Sequence, residues 1–319
     1  MPPVDRDNPV RAEASQSQYS LMEFMREFPD DASCLEWLWR NRYSEDGSHA
    51  DCPKCDRERK FHKVKERPAW DCDSCGYHLH PLAGTIFHKS STSLQLWFFA
   101  IHLMTSTRCG VAAKQLEREL GVTYKTAWRM FTLIRNKLMA PDDELLSGHV
   151  EVDEASVDGK PRVKHSTRTD PEARSKASKL RERSRATVFA AVERGGRVKA
   201  TVLPSRRGPR LQAQAIEWIE PTAIVYTDEW PAYNQMYRHF SAHSRVRHAA
   251  GEYVVGAAHT NTVEGFLGHL KPSIRGTYRK VSHRWLQGYL NEFTFRYNER
   301  HSKQAMFRTL LARAASVAE

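Results

Sequence analysis

HTNTVEGFLGHLK, residues 259–271, is the stretch whose reading decides the fold. Two hydrophobic runs that end in acid precede it, VEVDE at residues 150–154 and IVYTD at residues 224–228. The Val, Ile and Tyr content of these runs predicts strands, and the apolar spacing of 259–271 predicts a helix. Two strand ends and a helix thus each offer a carboxylate: Asp153, Asp228 and Glu264. Seventy-four residues separate the two aspartates, and 35 separate Asp228 from Glu264. This is the layout expected where three acids converge on a pair of divalent cations, Mg²⁺ or Mn²⁺, for phosphoryl transfer.

Each acid also has a plainer reading. Asn261 and Glu264 could form a capping box. Asp228, ahead of Glu229-Trp230-Pro231, could open a turn, and Asp153 sits among Glu151, Glu154 and Asp158 on what could be a solvated face. The joint pattern favours the metal site. Between Glu264 and Glu292 there is no acid, while Lys271, Arg275, Arg279, Lys280, His283 and Arg284 accumulate, so one margin of the site is positive, as a phosphodiester requires. Lys271 lies seven residues beyond Glu264, on the same helix face. Pro272 predicts that the helix ends or kinks at Lys271.

The surrounding elements predict a ribonuclease-H-like α/β core. A strand over 148–157 puts Val150 and Val152 on one face and Glu151 and Asp153 on the other. Strands over 186–192 and 198–203 follow, joined by Gly195-Gly196, then a helix over 211–219 and the Asp228 strand. In that order of meander, helix and strand, the first and fourth strands lie side by side. That brings Asp153 and Asp228 together, at a cost in repulsion unless cations sit between them. A helix is expected over 233–240.

The chain of 319 residues has room for two or three units and carries a formal charge of +11, which suggests a polyanionic partner. No apolar run approaches the roughly 18 residues of a membrane span, and the N-terminus lacks a signal-peptide core. Cys52, Cys55, Cys72 and Cys75 form two CxxC pairs, read as a closed tetrahedral Zn²⁺ site that staples a short hairpin containing Phe61, Val64 and Trp70. Cys34 has no partner at ligand spacing and reads as a buried hydrophobe. Helices are expected over 94–104, 112–120 and 123–139. The last two, broken by Gly121, match a helix-turn-helix whose second helix would present Thr123, Tyr124, Lys125 and Arg129 to the major groove of DNA. Residues 160–185 hold ten Lys or Arg against three acids and read as a basic loop for the DNA backbone.

The resulting architecture is α+β and multidomain. A helical segment (1–45), a zinc ribbon (46–90) and a helix-turn-helix-like bundle (91–141) precede the catalytic core (142–283), and C-terminal helices (284–319) pack on that core. Together the ribbon, EVDEASVDGK, YTDEWPAY, HTNTVEGFLGHLK, IRGTYRKVS and YLNEFTFRYN resemble the zinc-ribbon DDE transposases of bacterial insertion sequences, the ISXO2-like group related to Merlin transposases. The resemblance spans about residues 28–297. It implies catalytic acids at Asp153, Asp228 and Glu264 with Lys271 as the accompanying basic residue. It also implies two Mg²⁺ ions per site, binding of terminal inverted repeats, cleavage of element ends and joining of the 3′-hydroxyl to target DNA. A homodimer or larger synaptic assembly and a cytoplasmic, nucleoid-associated location follow from the same likeness. Two rivals are a DNA-binding regulator without catalysis and a ribonuclease-H-like nuclease that cuts without joining.

Overall fold

A computed structural model of the chain describes residues 19–107, 109–158, 185–246, 259–279 and 281–316. Lys280 and nearly all of the basic segment 160–185 lie outside the described residues. The chain divides into two compact units, residues 1–139 with 301–319, and residues 140–300.

In the first unit, α1 (Leu21–Glu27) opens on a capping box between Ser20 and Glu23. In α2 (Asp31–Arg42) it is Asp30, not Asp31, that caps the helix, accepting from Ser33 N–H. Asp31 instead accepts from Ser93 Oγ and Gln95 N–H, and so caps α3 (Leu94–Ser106) from another element. Cys34 is buried, and burial pushes its thiol up to about 12, in keeping with an inert packing role. The ribbon is larger than a hairpin. Strands β1 (His49–Cys52), β2 (Arg57–Lys63), β3 (Trp70–Cys72) and β4 (His78–Leu79) form one antiparallel sheet in chain order. Trp70 stacks on Trp39 of α2 at 4.7 Å and Phe61 packs on the same ring, giving the sheet an apolar floor besides its cysteines.

The helices α4 (Ala113–Leu120) and α5 (Tyr124–Leu133) are joined through Gly121, whose φ of +64° requires glycine at this helix end. Thr123 caps α5 by accepting from Thr126 N–H. The helix expected to reach 139 ends at Leu133 and continues as a π turn, Ile134–Leu138.

The C-terminal helices do not stay together. Helix α9 (Met306–Ser316) belongs to the first unit, where it packs on α2 and α3. Phe307 meets the aromatic cluster of Phe24, Phe28 and His102, and Arg308 pairs with Glu27. The apolar stripe of α9 is thus spent on the N-terminal aromatics of the first unit, which corrects the expectation that all of residues 284–319 pack on the unit of residues 142–283.

The second unit is built on a five-stranded sheet ordered β7-β6-β5-β8-β9: β5 (His149–Asp158), β6 (Arg185–Glu193), β7 (Val198–Leu203), β8 (Ile224–Asp228) and β9 (Ala242–Val246). The first three strands form an antiparallel meander, and β8 and β9 add in parallel to β5 and to one another. Val150, Val152, Phe189 and Val225 bury one face against Leu211 and Ala215 of α6 (Gly208–Trp218). On the face carrying Glu151 and Asp153, α7 (Asn261–Ser273) packs against β5 and β6. The open edge of β7 is closed by α8 (Leu286–Asn298). Gln287 bonds Val202 N–H and Ala200 C=O, and Asn298 bonds both backbone groups of Val198. These side chains satisfy an edge that would otherwise invite another strand.

Residues 233–240 do not form the expected helix. Two short 3₁₀ turns, Pro231–Tyr233 and Met236–Arg238, lead into β9, an edge strand whose AHSRV sequence carries no strong apolar alternation. Lys271 does not end its helix either: α7 runs through Pro272 to Ser273 and then widens into a π turn, Ile274–Tyr278. Proline removes one helical donor and crowds the preceding turn, and a wider turn relieves that strain.

Candidate active site and metal centre

The paired register of β5 and β8 runs His149 to Ile224, Val150 to Val225 and Glu151 to Tyr226. Continued by two residues, it sets Asp153 level with Asp228. Asp153 takes a hydrogen bond from Glu154 N–H at 2.7 Å, and Asp228 takes one from Trp230 N–H at 3.0 Å. Glu264 stands exposed in the first turn of α7, where its Oε1 accepts from Thr260 Oγ1 at 2.7 Å. It makes no capping box: Thr260, not Asn261, is the N-cap residue and has no side-chain cap bond. Lys271 is half-buried farther along the same helix. Arg275 is exposed on the π turn, and Arg279 is exposed just beyond it at a φ of +58°.

Electrostatics tie the three acids together. The Asp153 carboxyl is pushed from 3.8 up to about 7, first by burial, then by Glu154, and further by the charges of Asp228 and Glu264. Their oxygens are not gathered into one tight cluster, however. Among the described residues, only the four cysteines place three or more ligand atoms all within 4.8 Å of one another. Each acid rests on a donor of its own.

A raised carboxyl means that the folded chain holds a proton between roughly pH 4 and 7 that the unfolded chain has released. The stabilisation from this group is therefore present at low pH and lost as pH rises through about 7. In chelator near pH 8, Asp153→Asn is expected to melt higher than the parent by roughly a few degrees, with the difference vanishing near pH 4. Equal midpoints at both pH values would remove the crowding.

A cleft of about 420 Å³ opens beside Asp228, lined by Glu154, Arg206, Asp228, Glu229, Trp230 and Pro231. Glu154 is buried between the Tyr233 hydroxyl and the Arg206 guanidinium, both donating to it. Burial raises its carboxyl against these two partners, and Arg206 lies 4.7 Å over the Trp230 ring. Sequence reasoning missed this group, as it missed Glu151. The signal available was strand alternation: in a strand covered on both faces, an acid two residues from Asp153 on the same face needs a partner.

The second candidate centre is the ribbon. Cys52 Sγ lies 3.6 Å from Cys75 Sγ, and Cys55 Sγ lies 3.9 Å from Cys72 Sγ. Zn–S bonds of about 2.3 Å in a tetrahedron give sulfur separations of about 3.8 Å, so these four residues could hold zinc. All four are free thiols and not disulfides. Burial opposes ionisation of Cys52, yet the N–H groups of Cys55 and Lys54 draw its thiol down, whereas burial and the three neighbouring sulfurs push Cys75 up.

The cap residue Thr123 and, on α5, Tyr124, Lys125 and Arg129 are all exposed. Tyr124 stacks against Trp128, with Lys114 over its ring. Among the described residues, no helix is long and apolar enough to cross a membrane.

Known proteins give the class: residues 145–298 match the ISXO2-like transposase domain. An uncharacterised protein of the transposable element ISH50 from Halobacterium salinarum is 30% identical over 258 residues, 77% of this chain and 84% of that protein. The chain belongs to the ISXO2-like transposase family.

Proposed function

We propose that the chain is a DNA transposase that binds the inverted repeats at the ends of its element, cleaves there and joins the freed 3′-hydroxyl to target DNA. What supports this reading is the match to a transposase domain over residues 145–298, together with the β5–β8 register, which continued by two residues brings Asp228 level with Asp153 on the face that α7 covers. The sheet order, with the first and fourth strands adjacent and parallel, supports a ribonuclease-H-like core. Hard carboxylate oxygens from Asp153, Asp228 and Glu264 are the donor type that fits Mg²⁺ or Mn²⁺. Two such ions would supply Lewis acidity, making the attacking water or 3′-hydroxyl easier to deprotonate and offsetting charge on the leaving 3′-oxygen.

The residues do the rest. Asp153, Asp228 and Glu264 would hold the cations beside the scissile phosphodiester. Lys271, Arg275 and Arg279 neutralise flanking phosphates. In the first step, water attacks phosphorus and the P–O bond to the 3′-oxygen breaks. In the second, that 3′-hydroxyl attacks a target phosphate and displaces another 3′-oxygen, its proton passing to solvent. No covalent bond to the protein forms. The four-cysteine centre is read as structural zinc, and it would shape the N-terminal unit for repeat recognition together with α5. Two ends must be joined, so a homodimer or larger assembly is expected on DNA.

A strand-transfer assay with pre-cut ends tests this: a transposase joins them, a nuclease only cuts intact ends, and a regulator does neither. Absence of joined product with either Mg²⁺ or Mn²⁺ would refute the reading. For the helix-turn-helix, Lys125→Ala is expected to weaken binding alike on all sequences and to lower the salt slope by about one. An unchanged slope takes Lys125 off the DNA backbone.

A further inference from the structure

Glu151 is fully buried, two residues before Asp153 and on the same face of β5. Its Oε2 accepts from the backbone N–H of Thr262 at 2.7 Å and of Val263 at 3.1 Å. Its Oε1 accepts from Thr262 Oγ1 at 2.9 Å and from Arg194 Nε at 2.6 Å, with His259 Nδ1 3.0 Å away. The first turn of a helix leaves donors without intrahelical partners, and a carboxylate there is also favoured by the helix dipole. Thr260 does not fill that role, because its hydroxyl is turned to Glu264. The acceptor comes from a strand 111 residues earlier. Arg194 braces the arrangement: it also donates to the His259 carbonyl at 2.9 Å and lies 4.0 Å over the Tyr226 ring, whose hydroxyl meets His149 Nδ1 at 2.8 Å.

We propose that Glu151 is a positioning residue of the metal site, a cap supplied in trans that sets where Glu264 stands relative to Asp153. Glu264 lies in the turn that Glu151 grips, and Asp153 lies about 7 Å further along the strand from which Glu151 reaches. Strand and helix are thereby locked in one register. The inference rests on the reading of the three acids as cation ligands. A merely structural ion pair would lower stability when lost and leave the cation affinity of the folded protein unchanged.

The test uses the full chain with Glu151→Gln, in which the amide oxygen can keep one helix N–H but the charge facing Arg194 and His259 is gone. Mn²⁺ binding is followed by electron paramagnetic resonance, alongside hydrogen exchange of the Thr262 and Val263 amides and repeat-DNA binding. The expected result is about a tenfold weaker Mn²⁺ half-saturation, exchange at Val263 accelerated at least as much, and parental DNA binding. Cleavage should recover to within a few-fold at saturating Mn²⁺. A folded Glu151→Gln protein with a Mn²⁺ titration superimposable on the parent's overturns the proposal. Should that variant not fold, Thr262→Val decides: a weakened half-saturation supports the inference, and a parental one ends it. Glu264→Gln separates the two levels. Parental Mn²⁺ binding in that variant removes Glu264 from the site and with it the underlying reading, whereas loss there beside an unaffected Glu151→Gln sinks the positioning role alone.

Discussion

Asp228→Asn is expected to bind inverted-repeat DNA as the parent does and to yield neither cut nor joined strand, a fall in rate of about a thousandfold or more. Asn is the sharper substitution because the side-chain oxygen that accepts from Trp230 N–H is retained, so the turn into residues 229–231 keeps its anchor. What is lost is one negative charge level with Asp153. If that charge holds a cation that stabilises the leaving oxygen, its removal costs about 4 kcal/mol of transition-state stabilisation, which corresponds to about three orders of magnitude. Asp228→Ala adds loss of the turn bond and should also destabilise the unit. Parental cleavage by Asp228→Asn in a gel assay takes Asp228 out of the chemistry.

Elemental analysis is expected to find about one zinc per chain in the parent and none after Cys72→Ser. Structural zinc contributes about 10–16 kcal/mol in small zinc-dependent folds, far more than a sheet as small as β1–β4 can replace. Cys72 is buried and sits at the end of β3, so a vacated sulfur position leaves β3 and the second knuckle without their tether. Yet Trp70 remains stacked on Trp39, and α2 and α3 have an aromatic core of their own. Helical circular dichroism should therefore persist while amide exchange across β1–β4 becomes fast. A Cys72→Ser protein that keeps one zinc contradicts the four-sulfur centre.

Short-range patterns carried much of this fold. The meander of β5, β6 and β7, its Gly195-Gly196 turn and the β8 strand were all legible, because strand alternation and turn residues act over a few positions. The edge strand β9 was not, since His243, Ser244 and Arg245 carry no apolar signal and are held by pairing with β8. Pro272 misled for a related reason: the local rule against helix before proline was outweighed by burial of Phe266, Leu267, Leu270 and Ile274 on one continuous helical face.

By itself the sequence determined the two cysteine knuckles, the acid at the end of β8 and the acid in the first turn of a helix. Each is a local arrangement, fixed by the reach of a turn or the period of a strand. Asp153, expected at a strand end, lies in the middle of β5, which pairs with β6 as far as Asp158. Only the tertiary structure decided that Glu151 grips α7 across 111 residues, that Arg206 and Tyr233 flank Glu154, and that α9 returns to Glu27 across 281. Those choices are made by burial. A carboxylate or an apolar stripe removed from water must find its complement, and which complement lies within reach depends on how the whole chain has packed.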